Sequence, residues 1–188
     1  LAEAPSGIRE VASRLKFRST LLVYLLVDKL GLFPDNWLYV HSPDLKAGRI
    51  TNFRNWVPSL YGKETSTILC LEYWAYEDDA EWKATDEELI SMACREIRQT
   101  GLAGDAKVLQ GHVHRIRYCY PVYARGYKEL LNPVQTYLSS IDGLTAIGRY
   151  GAFKYNNQDH SILMGLLAAE NILDGARNDL WAVNTDYE

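Results

Sequence analysis

The residues best suited to chemistry crowd into one stretch, Gly148-Arg-Tyr-Gly-Ala-Phe-Lys-Tyr-Asn-Asn-Gln-Asp-His160. Arg149 supplies a fixed charge on a planar donor fork. Gly148 and Gly151 allow a sharp turn or a close backbone approach to a ligand. Asn156, Asn157 and Asp159 are residue types that cap a helix by accepting from its first N–H groups. A helix start carries unpaired donors and partial positive charge, which suits an electron-rich ligand atom. His160, at that start, is placed either to touch a ligand or to exchange a cap bond. Ser19, Ser161 and the histidines form no nucleophile motif such as Gly-x-Ser-x-Gly, so the pattern points to ligand holding rather than covalent catalysis.

Other reactive residues read as structural. His112 and His114 share a strand face, but no third metal ligand is evident nearby. Arg115 and Arg117 share the opposite face and fit either a phosphate or solvent. Cys70, Cys94 and Cys119 are widely spaced and odd in number, which implies reduced thiols, no metal and a cytoplasmic protein. Trp37, Trp56 and Trp74 are expected in the core.

The elements that position the stretch follow from its flanks. Gly143-Leu-Thr-Ala-Ile147 suits a buried strand. Ile162, Leu163, Leu166, Leu167, Ala169, Ile172 and Leu173 recur at helical spacing, and Gly175 stops the helix. Upstream, Ser6–Leu15 suits a short helix, and Phe17–Asp28 a central strand. Trp37–His41, Arg49–Trp56, Thr65–Tyr76 and Lys107–Tyr118 suit further strands. Thr85-Asp-Glu-Glu88 is a capping box that opens a helix ending near Gly101. Tyr120-Pro-Val-Tyr123 breaks the fifth strand, and Tyr127–Ser139 is a helix with Pro133 as a kink. The tail after Gly175 is polar apart from Leu180, Trp181 and Val183, and is expected to fray. The pattern is an α+β domain: five to six strands in a mixed or antiparallel sheet, with three to four helices.

With 188 residues, 47% of them hydrophobic and 23% charged, the chain is long enough for one globular domain with its own core. A net charge of −4 argues against broad nucleic-acid binding. No apolar run approaches the roughly 20 residues of a membrane span. The first residues, Leu-Ala-Glu-Ala-Pro, show no signal-peptide pattern.

The Gly148–His160 stretch resembles the C-terminal flavin-closing segment of UDP-galactopyranose mutase and its relatives in the flavin amine-oxidase superfamily. There a Gly-Arg-x-x-x-(Tyr/Phe)-x-Tyr segment runs into a helix whose start lies under the isoalloxazine ring. Gly148, Arg149, Phe153, Lys154, Tyr155 and Asp159 fall in register with it. Gly48-Arg-Ile-Thr-Asn-Phe-Arg-Asn-Trp56 is similar to the family's Thr-Arg-Ile-x-Glu-(His/Phe)-Lys-His-Phe, and Tyr120-Pro-Val122 to its Tyr-Tyr-Pro-Val. By this resemblance Arg49, Tyr120 and Tyr155 hold a substrate diphosphate, while Gly148, Arg149, Asn157, Asp159 and His160 hold FAD. The resemblance implies that the three substrate residues converge on one cleft.

Asn52 stands where the family has glutamate, Asn157 where it has an acid, and Cys119 replaces the first tyrosine of Tyr-Tyr-Pro. These departures leave the substrate open between a nucleotide sugar and the substrates of protoporphyrinogen-oxidase or desaturase-type enzymes. No Gly-x-Gly-x-x-Gly fingerprint follows a strand. The chain is therefore expected to be the C-terminal part of a longer flavoenzyme: a substrate-binding part at about 16–142 and a closing segment at about 143–175. It partners a missing N-terminal Rossmann portion and retains no FAD by itself. The alternative is a stand-alone, non-catalytic ligand-binding or interaction domain.

Overall fold

Phe17–Val27 alternates poorly in sequence but is rich in Leu, Val and Tyr, the composition of a central strand. In the computed structural model, which describes residues 4–183, it forms β1 with Leu21, Val23 and Leu25 fully buried. Leu1-Ala-Glu3 and the last five residues, on which the leader and tail readings partly rest, lie outside the described residues.

The elements run α1 (Ser6–Ser13), β1, β2 (Trp37–Tyr39), β3 (Arg49–Asn52), α2 (Phe53–Trp56), β4 (Thr67–Ala75), α3 (Ala80–Lys83), α4 (Asp86–Gln99), β5 (Val108–Pro121), α5 (Tyr127–Ser139), α6 (Gly148–Gly151) and α7 (Gln158–Leu173). The five strands form an open antiparallel sheet in the order β2-β3-β4-β1-β5, so the class is α+β. Among the described residues no helix is long and apolar enough to cross a membrane. By contacts the chain divides into two compact units, Ser19–Arg117 and Leu1–Arg18 with Tyr118–Glu188.

In the Ser19–Arg117 unit, β1 and β4 pair with Leu21 opposite Tyr73, Val23 opposite Leu71 and Leu25 opposite Leu69. Side chains alternate across a strand, so these six share one face. Leu89, Ala93 and Ile97 of α4 join them in a core of fifteen buried apolar residues. The capping box forms: Glu88 N–H donates to Thr85 Oγ1 at 3.2 Å, and Thr85 N–H donates to Glu88 Oε2 at 2.8 Å.

Two expectations fail in this unit. The pattern Arg49–Trp56 predicts one long strand, yet the ladder ends at Asn52. The Asn52 Oδ1 accepts from Arg54 N–H at 3.2 Å and its Nδ2 donates to Phe33 O at 3.1 Å. A short amide side chain that satisfies nearby backbone starts a helix rather than continuing a strand. Trp37 and Trp56 are 40% and 51% exposed rather than core. The Trp56 indole donates to Asn36 O at 3.1 Å, while the Trp37 ring lies 5.9 Å from the Arg49 guanidinium.

The second unit is thinner. Its buried cluster is Ala152, Met164, Ala168 and Leu180, with Leu167, Trp181 and Val183 packed against it. The buried side of α7 is thus Met164 and Ala168, whereas Ile162, Leu163, Leu166, Ile172 and Leu173 are exposed. The expected strand at 143–147 is absent. Leu144 N–H bonds back to Ile141 O at 3.2 Å in a turn. Ile147 is extended, at φ −134° and ψ 164°, but it leads into α6. An apolar run becomes a strand only where another edge accepts its backbone groups. The tail does not fray over its described part. Leu180 is buried, and Asn171 exchanges bonds of 2.9 and 2.8 Å with the Asn178 backbone.

Candidate functional site

In the Leu1–Arg18 and Tyr118–Glu188 unit, the turn from α6 to α7 is built to fix Arg149. Gly148 has φ +74°, a left-handed conformation that L side chains rarely adopt. Ala152 N–H donates to Gly148 O at 3.1 Å, and Lys154 N–H to Arg149 O at 3.0 Å. Phe153 is also left-handed, at φ +48°. For a non-glycine this costs about 1–2 kcal/mol. Its ring is held edge-on to Phe17 at 4.9 Å and lies beside Tyr123 and Tyr127 at 6.2 and 6.1 Å. Strain that packing over-determines is a frequent mark of a functional turn.

Around this turn Arg149 and Tyr155, six positions apart, meet Tyr120 from the end of β5. The Arg149 guanidinium sits 5.0 Å from the Tyr120 ring centre and 5.4 Å from that of Tyr155. The two rings are 5.5 Å apart and inclined by 34°. Arg149 Nη2 also donates to Asn156 O. Tyr155 N–H donates to the Tyr123 hydroxyl at 2.8 Å, which fixes the backbone carrying the second phenol. Tyr155 is 52% exposed, so this is a surface platform and not a core contact. Burial, then the Cys119 thiol, raises the Tyr150 phenol above its ordinary range.

Of the three residues read as caps, Asn156 is the one whose side chain bonds to the first turn of α7. Asn156 is buried, and its Oδ1 accepts from Ser161 Oγ at 3.3 Å. Asn157 occupies the N-cap position without a side-chain cap bond. Asp159 and His160 pair with each other at 2.9 Å, and hydrogen bonding from His160 lowers the Asp159 carboxyl below its ordinary range.

Arg49 belongs to the Ser19–Arg117 unit. Its Nε and Nη2 donate to the two Glu72 oxygens at 2.7 and 2.6 Å, a bidentate pair on neighbouring strands. Gly48 is required beside it: a Cβ there would fall 2.0 Å from Trp74 Cζ3. The loop before Arg49 is fixed by Glu96, a buried carboxylate that no motif flagged. Glu96 accepts from Lys46 N–H at 2.8 Å, Ala47 N–H at 3.0 Å and the Tyr73 hydroxyl at 3.1 Å. Burial and the Glu96 charge push the Tyr73 phenol far above its ordinary range. The available signal was positional: Glu96 lies seven residues after Leu89, on the apolar side of α4.

No family model and no curated protein matches the chain. Among solved structures, it is similar to reduced UDP-galactopyranose mutase, with 24% identity and a TM-score of 0.78 over 94% of this chain and 37% of that one. It is also similar to a putative protoporphyrinogen oxidase from Exiguobacterium sp. 255-15, with 18% identity and a TM-score of 0.58 over 79% of this chain and 33% of that one. Both are of the kinds that the sequence resemblance names. The chain spans about a third of the length of these two structures. Its α+β fold is that of one portion of a UDP-galactopyranose mutase.

Proposed function

We propose that this chain forms the substrate-binding sheet and flavin-closing segment of an FAD-dependent enzyme of the mutase or oxidoreductase kind. The observation that carries the reading is the mutase-like fold over 94% of the chain. The residues present fit an electron-rich cofactor. Arg149 supplies charge beside two phenol rings, and Asn157 leaves the first turn of α7 without a side-chain cap. A bound flavin would supply hydride or electron transfer. In this reading Gly148, Arg149, Asn157, Asp159 and His160 orient it, and Tyr120 and Tyr155 direct hydroxyls toward substrate. Arg49 remains the candidate for a substrate phosphate, with its charge already offset by Glu72. An N-terminal Rossmann portion would cover the apolar residues exposed on α7 and hold the rest of the FAD.

The test is the complete gene product. Purified whole, it is expected to show flavin absorbance and to bind FAD again after stripping. The 188-residue chain titrated with FAD is expected to give no tight binding, and a tight complex there would remove the need for the Rossmann portion. A native chain without any Rossmann segment and without flavin would sink the proposal. It would favour the second reading, a stand-alone binding domain, which the self-contained fifteen-residue core of Ser19–Arg117 supports.

A further inference from the structure

Within the Ser19–Arg117 unit, the sheet face opposite α4 carries a cleft of about 630 Å³. Its floor is Tyr24, Leu26 and Ile68, and Phe53 closes one side. Tyr24 and Phe53 lie nearly parallel, at 27° and 6.0 Å between centres. Volumes of about 300–1,000 Å³ with apolar and aromatic walls and few polar groups are those of small-molecule sites.

The walls are fixed in advance. Because β3 ends at Asn52, the Ile68 N–H lies past the end of that strand, and the Tyr61 hydroxyl accepts it at 3.3 Å. The Arg54 guanidinium lies 4.0 Å over the Tyr61 ring and donates to Glu64 O, Ser66 O and Thr67 Oγ1. One cation thereby staples the loop that forms the outer wall. A cleft that needs no ordering on occupation loses less affinity to entropy. Leu60, 69% exposed, marks an open mouth. The cleft is lined by a single formally charged residue among the described ones, Glu64.

We propose that this cleft binds a flat apolar molecule with one cationic end, an aryl-alkyl ammonium, whose ring lies against Phe53 and Tyr24 and whose charge faces Glu64. The cleft is built wholly from residues of the Ser19–Arg117 unit, and the proposal stands whether or not the parent protein holds a flavin. Glu64 is exposed, so its contribution is selectivity rather than most of the affinity.

The experiment is calorimetric titration of the full chain with naphthylmethylammonium, uncharged naphthalenemethanol and naphthoate. Saturable binding of the ammonium compound is expected, with naphthoate weakest. Glu64→Gln is expected to weaken the ammonium compound by about two- to fivefold and to leave the alcohol unchanged. Ile68→Phe fills the floor and is expected to abolish binding of all three. Should that variant fail to fold, the exposed Glu64 variant still decides the question. No saturable binding to the unaltered chain, or an ammonium affinity indifferent to Glu64→Gln, overturns the proposal.

Discussion

The two units solve the same problem differently. Ser19–Arg117 buries fifteen apolar residues around one sheet face, whereas the unit holding Arg149 has a four-residue cluster among its described residues. The first unit buries one whole face of its β1–β4 pair, but the second leaves Ile162, Leu163, Leu166, Ile172 and Leu173 of α7 exposed. Its order comes instead from aromatic contacts, a left-handed Phe153 and side-chain bonds to backbone. A region held that way gains little stability from hydrophobic burial, which scales with the apolar area removed from water. It can place a guanidinium against two neighbouring phenols without a large core beneath.

Core truncation tests this contrast most severely. Leu71→Ala, at a fully buried position in β4, is expected to lower unfolding free energy by about 2–5 kcal/mol. Ile172→Ala is expected to change it by about 0.5 kcal/mol at most. Met164→Ala is the sharper comparison, since Met164 is equally buried but sits in the small cluster. If denaturant titration shows it costing as much as Leu71→Ala, the thin-core description is wrong.

Next come the polar anchors, one from each unit. Glu96→Ala leaves two backbone donors and the Tyr73 hydroxyl without their acceptor, and is expected to cost about 1.5–3 kcal/mol of stability. Arg149→Ala removes a bond to Asn156 O and two ring contacts, and is expected to cost about 1–2 kcal/mol of stability. On the proposed function, the same substitution in the complete protein should also weaken FAD binding, by about 1.5–3 kcal/mol. Equal losses in folding and flavin binding would make Arg149 a structural residue.

Tyr123→Phe removes the acceptor of the Tyr155 N–H and is expected to cost about 0.5–1.5 kcal/mol, read by denaturant titration. An unchanged midpoint would mean that ring packing alone holds the turn.

The smallest effect concerns acid. The Asp159 carboxyl is lowered from its ordinary 3.8 by hydrogen bonding from His160. The stability it contributes is therefore present above about 3.8 and is lost as pH falls through its lower folded value. An NMR titration of Asp159 with a midpoint at or above 3.8 would contradict the pairing.

Strand identities were legible wherever the pattern had only one solution. Phe17–Val27 is dense in β-favouring apolar residues, and the Thr85 capping box carries its own donors and acceptors, so local chemistry decides them. Asn52 misled because an amide side chain chose between two backbone partners, and that choice depends on Phe33, 19 residues earlier. Leu144–Ile147 misled because a strand needs a neighbour that a linear pattern does not supply. The exposed face of α7 was invisible for the same reason: its apolar residues surround the helix, and only packing selects Met164 and Ala168.

The sequence by itself determined the residue types at the site, the α+β class and the resemblance around Gly148 and Arg149, because these depend on order along the chain. Contacts within each unit depend on the folded chain. Tyr120, Arg149 and Tyr155 come together through a turn with two left-handed residues. Within its own unit, Arg49 is matched to Glu72 by the register of β3 against β4. Pairing across strands and closure of a turn depend on groups far apart in sequence, and their free energy exists only once the chain has brought those groups within a few ångströms.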